Sequence, residues 1–238
     1  MSVSSLKIWL QTHPDPRYRK LFQWLKTARA ADLPTPRWWN VSLFHTVQTL
    51  SQIVHTVMRV LIHTPAFKGR TRRCGKQLYL YGGIPFVSGP IEITIGNQCR
   101  ISGHTTFSGR SQTKQPALIV GNNVDIGWQS TIAVGKKVVI EDNVRIASGA
   151  FIFGYSGHAL DAQLRAQGAA DDDANVGDVT IKRDAWIGTN VTICPNVTVG
   201  EGTIVGTGSV VTHDLPDFVV AVGNPAKVVR YLKEQNYA

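Results

Sequence analysis

The chain has 238 residues, 43% hydrophobic and 17% charged, an ordinary soluble composition with room for one sizeable domain and an accessory segment. Its formal net charge of +9 favours an anionic partner. The charge alone does not distinguish a phosphorylated cofactor, a nucleotide sugar, an acidic glycan, an anionic membrane and nucleic acid. Three well-separated cysteines indicate neither a zinc site nor a disulfide framework, so we expect a reducing cytoplasm and no metal. The first residues hold no apolar run of signal-peptide length, and we expect no secretory signal.

Residues 1–66 predict an N-terminal helical segment. Pro16 is suited to open a helix that runs to about Ala31, after which prolines break the chain. A second helix is predicted from Trp38 to Thr64. Pro65 should stop this helix, because proline lacks the N–H and crowds the preceding turn.

The second predicted helix is amphipathic. Its apolar side chains recur at three- and four-residue spacing, as Phe44, Val47, Leu50, Val54, Val57, Met58 and Leu61. Histidine, glutamine and arginine side chains on the opposite face exclude a membrane-spanning helix. Two interpretations stay open. The helix packs on the rest of the protein or on a neighbouring subunit, or it lies along a membrane interface, for which Trp38, Trp39 and nearby basic residues are suited.

Residues 93–214 contain a six-residue repeat. Counted from Ile181, every sixth residue is aliphatic, as Ile181, Ile187, Ile193, Val199, Val205 and Val211. A period of six fits neither an α-helix nor a simple alternating strand, and it predicts a parallel β-helix. Each hexapeptide then supplies one short strand and one corner, and three hexapeptides complete a triangular coil.

The corners of this β-helix require backbone conformations that glycine and asparagine tolerate. Asparagines recur near the expected corners, as Asn97, Asn122, Asn123, Asn143, Asn190 and Asn196. The spacing alone does not determine the hand of the coil, since crossover connections are normally right-handed.

Three further segments flank or interrupt the repeat. Residues 67–92 are rich in lysine and arginine and predict a basic connector, and residues 215–238 predict a C-terminal segment with a short helix. The largest interruption is a loop at residues 153–178. Because loops on rigid scaffolds commonly carry function, we expect the chemistry to lie there.

Three motifs between about residues 90 and 232 carry a family resemblance: Ser156-Gly157-His158, Asp184-Ala185-Trp186-Ile187-Gly188, and Gly223-Asn224-Pro225-Ala226-Lys227-Val228-Val229-Arg230. They resemble the hexapeptide acyltransferases, in the branch that holds galactoside, maltose and polysaccharide O-acetyltransferases. The resemblance implies a mainly β protein with a left-handed parallel β-helix. It also implies a homotrimer with active sites between subunits, and acetyl-CoA as co-substrate.

His158 matches the catalytic histidine of this family. Acetyl transfer to a hydroxyl requires a base near neutral pH, and an imidazole can take the proton and then return it to the leaving thiol. Asp161, three residues further on, is a candidate to hold this imidazole or to bind an acceptor hydroxyl.

The same resemblance assigns an oxyanion or thioester contact to Thr189, through its N–H or its hydroxyl. It places an aromatic residue against the pantetheine arm, threonines along the groove between coils and basic residues near the CoA phosphates. The cofactor-binding residues that it implies are Trp186, Thr189, Thr207, Thr212, Lys227 and Arg230.

The chain departs from the family at the acceptor side. Rough alignment places Trp128 and Lys136 where the small-sugar enzymes bind their acceptor through an asparagine and an aspartate. We expect Trp128 to stack on a sugar ring. The loop aspartates at 171–173 would repel an acidic acceptor unless they turn away.

Together these features predict an acetyl-CoA-dependent O-acetyltransferase acting on a sugar or polysaccharide-precursor hydroxyl, with His158 as general base. An N-acetyltransferase of an amino-sugar nucleotide and a non-catalytic β-helix binding or assembly protein stay open as alternatives. Without a recognised nucleic-acid motif, we expect no nucleic-acid partner. The expected location is the cytoplasm, with residues 1–66 as a candidate peripheral contact to the inner face of the cell membrane.

Overall fold

The computed structural model describes residues 2–232, and the chain divides after Gln52 into two compact units. The N-terminal unit contains α1 (Val3–Thr12), α2 (Pro16–Arg29) and most of α3 (Arg37–Met58). Asp15 caps α2, since its Oδ1 accepts from the Arg17 N–H at 2.8 Å, and Pro16 occupies the first helical turn, where a missing N–H costs nothing.

The helical path continues through Pro65, so the prediction that this proline stops the second helix is wrong. The α-helical part of α3 ends at Met58, a π-helical turn follows over Arg59–His63, and α4 spans Thr64–Arg70. Pro65 lies in the first turn of α4, a position that tolerates proline, and the wider π-helical turn before it changes the hydrogen-bond spacing that its ring would otherwise disrupt.

Residues 2–232 contain twenty short strands. The first ten are β1 (Arg73–Cys74), β2 (Tyr79–Tyr81), β3 (Phe86–Ser88), β4 (Glu92–Ile95), β5 (Arg100–Ser102), β6 (Thr106–Gly109), β7 (Ala117–Val120), β8 (Asp125–Ile126), β9 (Thr131–Val134) and β10 (Lys137–Ile140). The others are β11 (Arg145–Ile146), β12 (Phe151–Phe153), β13 (Val179–Ile181), β14 (Trp186–Ile187), β15 (Thr192–Ile193), β16 (Val197–Val199), β17 (Ile204–Val205), β18 (Val210–Val211), β19 (Val219–Val222) and β20 (Lys227–Tyr231). Two short helical segments, α5 (Ala162–Ala166) and a 3-10 turn (Asp173–Asn175), lie between β12 and β13.

The strands stack into three sheets, and successive strands from β1 to β18 join successive sheets in parallel. The first sheet is β1-β4-β7-β10-β13-β16, the second is β2-β5-β8-β11-β14-β17-β19-β20 and the third is β3-β6-β9-β12-β15-β18. Three strands therefore make one coil, which is the parallel β-helix that the six-residue repeat predicts. The antiparallel pairing of β19 with β20 is the exception among the described strand pairs.

Aliphatic side chains fill the inside of the coils. On the second sheet, Ile126, Ile146, Ile187 and Val205 occupy equivalent register positions in consecutive strands and are all buried. Each buried side chain of this size contributes roughly 1.5–3 kcal/mol relative to an exposed one. The repeat of six is thus the distance along the chain between neighbouring inward positions.

The corners use left-handed backbone at Asn123, Asn143, Asn190 and Asn196, with φ between +53° and +62°. Asn97 and Asn122 do not adopt this conformation; they form a ladder in which the Asn97 N–H donates to Asn122 Oδ1 at 2.9 Å. Gln98 takes the left-handed position of that corner instead, with φ of 59°. At this corner one polar residue adopts the left-handed backbone, and its neighbour forms the hydrogen bond to the next coil.

Both ends of the β-helix differ from the sequence expectation. Strands β1, β2 and β3 form a coil within residues 73–88, inside the segment that we expected to be a basic connector. After the last coil, residues 219–222 and 227–231 form an antiparallel pair, so the short helix predicted there is wrong for the described residues. The branched residues Val228 and Val229 favour a strand, and the exposed edge of β19 gives that strand a partner. The rest of the predicted C-terminal segment, residues 233–238, lies outside the described residues.

Candidate active site

One corner of the β-helix, where the second sheet gives way to the third, carries a residue from each of four successive coils: Trp128, Ser148, Thr189 and Thr207. We call this set the corner column. The Trp128 carbonyl accepts from the Gly149 N–H at 2.7 Å, and the Thr189 carbonyl accepts from the Gly208 N–H at 2.8 Å. Stacked strands are spaced by about 4.8 Å, so the backbones of Trp128 and Thr189 are two coils, or roughly 10 Å, apart.

Thr189 is half-buried at the centre of the corner column. Its N–H and its hydroxyl make no hydrogen bond to any other described residue, which leaves two donors available for a ligand. Gly188 explains why the corner is tight here: a Cβ at this position would lie 2.7 Å from the Val205 carbonyl oxygen. The backbone next to Thr189 is therefore packed closely against the following coil.

Trp186 lies on the same coil as Thr189, on the outer face of strand β14. It pairs with Arg145 of β11 and with Ile204 of β17, and its side chain is 53% exposed. An outward indole beside the corner provides a flat apolar surface for an extended ligand.

His158 lies at a different corner, where the third sheet gives way to the first. The loop that carries it joins β12 to β13, and the histidine is exposed. Its carbonyl accepts from Ser156 Oγ at 3.1 Å, and its imidazole makes no hydrogen bond within residues 2–232. Thr212 follows β18 at this same corner, with its hydroxyl 2.8 Å from Nδ1 of His213.

The two corners are separated within one chain by the width of the third sheet. From Thr189 to Cys194 the chain crosses that sheet through β15, and five residue steps at the extended spacing of about 3.3 Å span roughly 16 Å. The structure thus brings Trp128, Trp186, Thr189 and Thr207 together, and it places His158 and Thr212 at the next corner.

A buried ion pair anchors the loop that carries His158. Arg110 Nε contacts Asp171 Oδ1 at 2.9 Å, and Arg110 Nη2 donates to the Asp171 carbonyl at 2.8 Å, with both side chains under 5% exposed. Asp171 Oδ2 accepts from the N–H of Gly157, the residue before His158, at 3.3 Å. Asp173 adds a second contact to Arg110 at 2.6 Å. The ion pair therefore connects the main β-helix to the backbone next to the histidine.

This pair was missed in the sequence and changes the interpretation of the loop aspartates. Asp171 and Asp173 bind Arg110, and Asp172 caps the 3-10 turn by accepting from the Ala174 N–H at 3.0 Å. The three aspartates at 171–173 therefore stabilise the loop that contains them. The signal in the sequence was an arginine at the break of the repeat near residue 110, but its partner lies 61 residues away.

Asp161 also has a local role. Its Oδ1 accepts from the N–H groups of Gln163 and Leu164, both at 2.9 Å, which caps α5. No hydrogen bond joins it to His158 among the described residues. Its predicted part in acceptor binding stays a prediction.

Lys227 and Arg230 are exposed on β20, which is the edge strand of the second sheet. Both cations therefore lie on a strand beside the last coil, where we expected a helix. No cluster of three histidine, cysteine, aspartate or glutamate side chains suited to a metal ion occurs within the described part of the chain. No helix of residues 2–232 is long and apolar enough to span a membrane.

Comparison with known proteins agrees with this architecture. The family profile described as bacterial transferase hexapeptide (six repeats) matches residues 178–213. A galactoside O-acetyltransferase of Escherichia coli is 35% identical over 143 residues, covering 60% of this chain and 66% of the relative. A putative acetyltransferase of Staphylococcus aureus is 35% identical over 139 residues, covering 53% and 67% respectively. A putative acetyltransferase of Saccharomyces cerevisiae is 40% identical over 119 residues, covering 50% and 58%.

Solved structures share the fold. AntD, an N-acyltransferase from Bacillus cereus in complex with dTDP and 3-hydroxybutyryl-CoA, matches with a TM-score of 0.57 at 22% identity, over 71% of this chain and 88% of that chain. The repeat, the stacked coils and these relatives define the class of protein: the chain belongs to the hexapeptide-repeat acyltransferase family. It spans between 58% and 67% of the length of the curated relatives named above.

Proposed function

We propose that this protein is an acetyl-CoA-dependent O-acetyltransferase that acts on a hydroxyl of a sugar or polysaccharide precursor. The observation that carries the proposal is the corner column. It has an exposed aromatic ring at Trp128 and, two coils further on, two donors of Thr189 that no described residue occupies. An exposed indole can support a sugar acceptor and unoccupied donors can stabilise an oxyanion, and the corner column carries both along one corner.

In the proposed reaction His158 acts as general base. It takes the proton of the acceptor hydroxyl as the oxygen attacks the thioester carbonyl carbon. Thr189 donates to the oxygen that becomes negative in the tetrahedral intermediate. When the carbon–sulfur bond breaks, His158 returns the proton to the sulfur of CoA, and the acceptor keeps the acetyl group as an ester.

The cofactor groove is proposed to run along the later coils from Thr189. Trp186 offers its exposed face to the pantetheine arm, with Thr207 and Thr212 as polar contacts at the two corners. Lys227 and Arg230, exposed on the edge strand β20, are suited to the CoA phosphates because ammonium and guanidinium groups bind phosphate strongly.

The separation of the two corners supports a site shared between chains. His158 and Thr189 lie on opposite edges of the third sheet, so one active site requires the histidine loop of one chain near the corner column of another. A closed ring of three subunits would repeat that contact three times. We therefore propose a homotrimer with three shared active sites.

The proposal is tested by measuring CoA release from acetyl-CoA with a panel of sugars, oligosaccharides and nucleotide sugars, for the wild type and for His158→Ala. Loss of a positioned general base costs about 10²–10⁴-fold, so we expect kcat to fall by that factor while acetyl-CoA binding persists. His45→Ala, which removes another exposed histidine, should leave the rate unchanged.

Each other outcome counts against part of the proposal. A His158→Ala protein with wild-type kcat removes the histidine from the mechanism. Turnover of amino sugars alone makes the protein an N-acetyltransferase. Absence of acetyl-CoA binding in the wild type contradicts the enzyme proposal and favours a binding or assembly role.

We also propose that the N-terminal helices attach the protein to an anionic membrane surface. Residues 1–76 contain 13 lysine and arginine residues against two acidic ones, whereas residues 77–238 contain 12 against 14, so the net positive charge of the chain comes from its N-terminal third. Trp24 and Trp38 are more than 60% exposed there, and the apolar face of α3 is exposed along its length. Aromatic and basic residues beside an apolar helical face favour the headgroup region of anionic lipid.

A further inference from the structure

The first coil borders a cavity that the proposed acetyl transfer does not use. It has a volume of about 130 Å³ and lies between the last turns of α3, the following π-helical turn and strand β2. His55, Arg59 and His63 line it from the helical side, and Tyr79 and Tyr81 line it from the strand. Polar donors thus face aromatic rings across a small space.

The helical side of the cavity is suited to an anion. His55, Arg59 and His63 follow each other at four-residue spacing and so share one face of the helix. The Arg59 guanidinium lies 4.5 Å above the ring of Tyr79, and it has no carboxylate partner among the described residues. A guanidinium that is stacked on an aromatic ring and has no carboxylate partner is suited to bind a carboxylate or a phosphate.

Arg100 provides the contrast beside the same strand. Its guanidinium lies 6.0 Å from the ring of Tyr81, but it is paired with Asp125 at 3.4 Å. Arg59 is therefore the arginine of this cluster whose charge remains available.

The strand side continues into an aromatic surface that reaches the corner column. Tyr81 lies 5.8 Å from Trp128, and the indole stacks on His104 at 4.6 Å with an interplanar angle of 17°. The Tyr81 hydroxyl donates to the Ile126 carbonyl at 3.2 Å, which fixes its ring. Trp128 remains 45% exposed. A fixed, flat and exposed indole suits the apolar face of a sugar ring.

We propose that the acceptor is a sugar that carries an anionic group, either a phosphate or a carboxylate. Arg59, His55 and His63 bind the anionic group in the cavity, and Trp128 supports the sugar ring. The next sugar unit of the acceptor then lies along the column and presents a hydroxyl to Thr189, roughly 10 Å from Trp128 along the corner. This inference rests on the proposed acetyl transfer, because the column links the cavity to the reacting hydroxyl.

The test compares three acceptors that share one disaccharide, long enough to reach from Trp128 to Thr189: methyl cellobioside, cellobiouronic acid and cellobiose 1-phosphate. We expect one charged acceptor to exceed the neutral one in kcat/KM by about ten- to a hundredfold, the value of a charge-assisted hydrogen-bond pair. Comparison of kcat/KM for the carboxylate and the phosphate acceptor identifies which anion the cavity binds. Arg59→Met should abolish the preference through the acceptor KM, with the KM for acetyl-CoA unchanged.

Arg100→Met is the matched control and should keep the preference for the charged acceptor, because Arg100 is already paired. Equal turnover of all three acceptors by the wild type, or an equal loss for neutral and charged acceptors in Arg59→Met, would overturn the proposal. Calorimetric titration of the wild type and Arg59→Met with cellobiouronic acid and cellobiose 1-phosphate tests the cavity without catalysis. Wild-type binding that Arg59→Met loses supports the cavity even where acetyl transfer fails, and identical titrations contradict it.

Discussion

Arg110 and Asp171 show how a single pair of residues positions the proposed catalytic loop. Burying two charges is costly, and removing one partner leaves the other charge uncompensated. Asp171 also accepts from the N–H of Gly157, directly before His158, so the pair controls the backbone that presents the imidazole. The backbone position of His158, the proposed base, therefore depends on a residue of the main β-helix.

Asp171→Asn should destabilise the protein by up to about 3–5 kcal/mol at neutral pH, because it removes the buried carboxylate and leaves the exposed Asp173 as the carboxylate contact of Arg110. Asp172→Asn is the matched control. Asparagine caps as well as aspartate does, so this change should have little effect. Chemical denaturation of both variants measures the difference, and equal midpoints would show that the ion pair does not stabilise the loop.

The same pair predicts a pH dependence. Burial acts to raise the pKa of Asp171, but the hydrogen bonds from Arg110 and from the Gly157 N–H hold this pKa below its ordinary value. A carboxyl with a lowered folded-state pKa stabilises the protein fully above its unfolded pKa of about 3.9. That contribution is lost as the pH falls through the folded-state pKa. The stability gap between wild type and Asp171→Asn should therefore shrink on acidification, and a constant gap would contradict the assignment.

At the scale of elements, the aliphatic positions from Ile181 to Val211 predict both the coil and its core, because an inward side chain must recur once per strand. The same pattern predicts the interrupting loop. The first coil could not be predicted, since Arg73 and Lys76 mask a strand pattern whose inward residues Leu78 and Leu80 are few. The Arg110–Asp171 pair and the stacking of Trp128 on His104 could not be predicted either, because both depend on coils that come together only in the folded chain.

Helix α3 carries a prediction of its own. Leu50→Glu adds a charge to the apolar face, whereas Gln52→Glu adds the same charge to the polar face. We expect sedimentation with vesicles containing anionic phosphatidylglycerol to fall sharply for Leu50→Glu and only slightly for Gln52→Glu, while neutral phosphatidylcholine vesicles bind neither. If Leu50→Glu binds vesicles normally but dissociates the oligomer in light scattering, the helix is an interface between copies of the chain.

At the scale of the whole molecule, the proposed active site requires the proposed trimer, because its two corners are separated within one chain. His158→Ala and Thr189→Trp should each be inactive as pure proteins, because the second blocks the corner column. The two variants are unfolded and refolded together in equal amounts. Each site of a closed ring takes its histidine from one subunit and its threonine from the neighbour, so about one quarter of the sites then contain both intact residues. We expect that fraction of wild-type activity. No recovery from correctly assembled mixed oligomers would show that both residues act within one chain.

The most direct test of the central claim is to follow a ¹³C-labelled acetyl group from acetyl-CoA to the product by nuclear magnetic resonance. We expect an ester carbonyl on the sugar acceptor with wild-type protein, and no such signal with His158→Ala that still binds acetyl-CoA. An amide carbonyl, an undiminished ester signal from His158→Ala, or a label that never leaves acetyl-CoA with any acceptor would contradict the account.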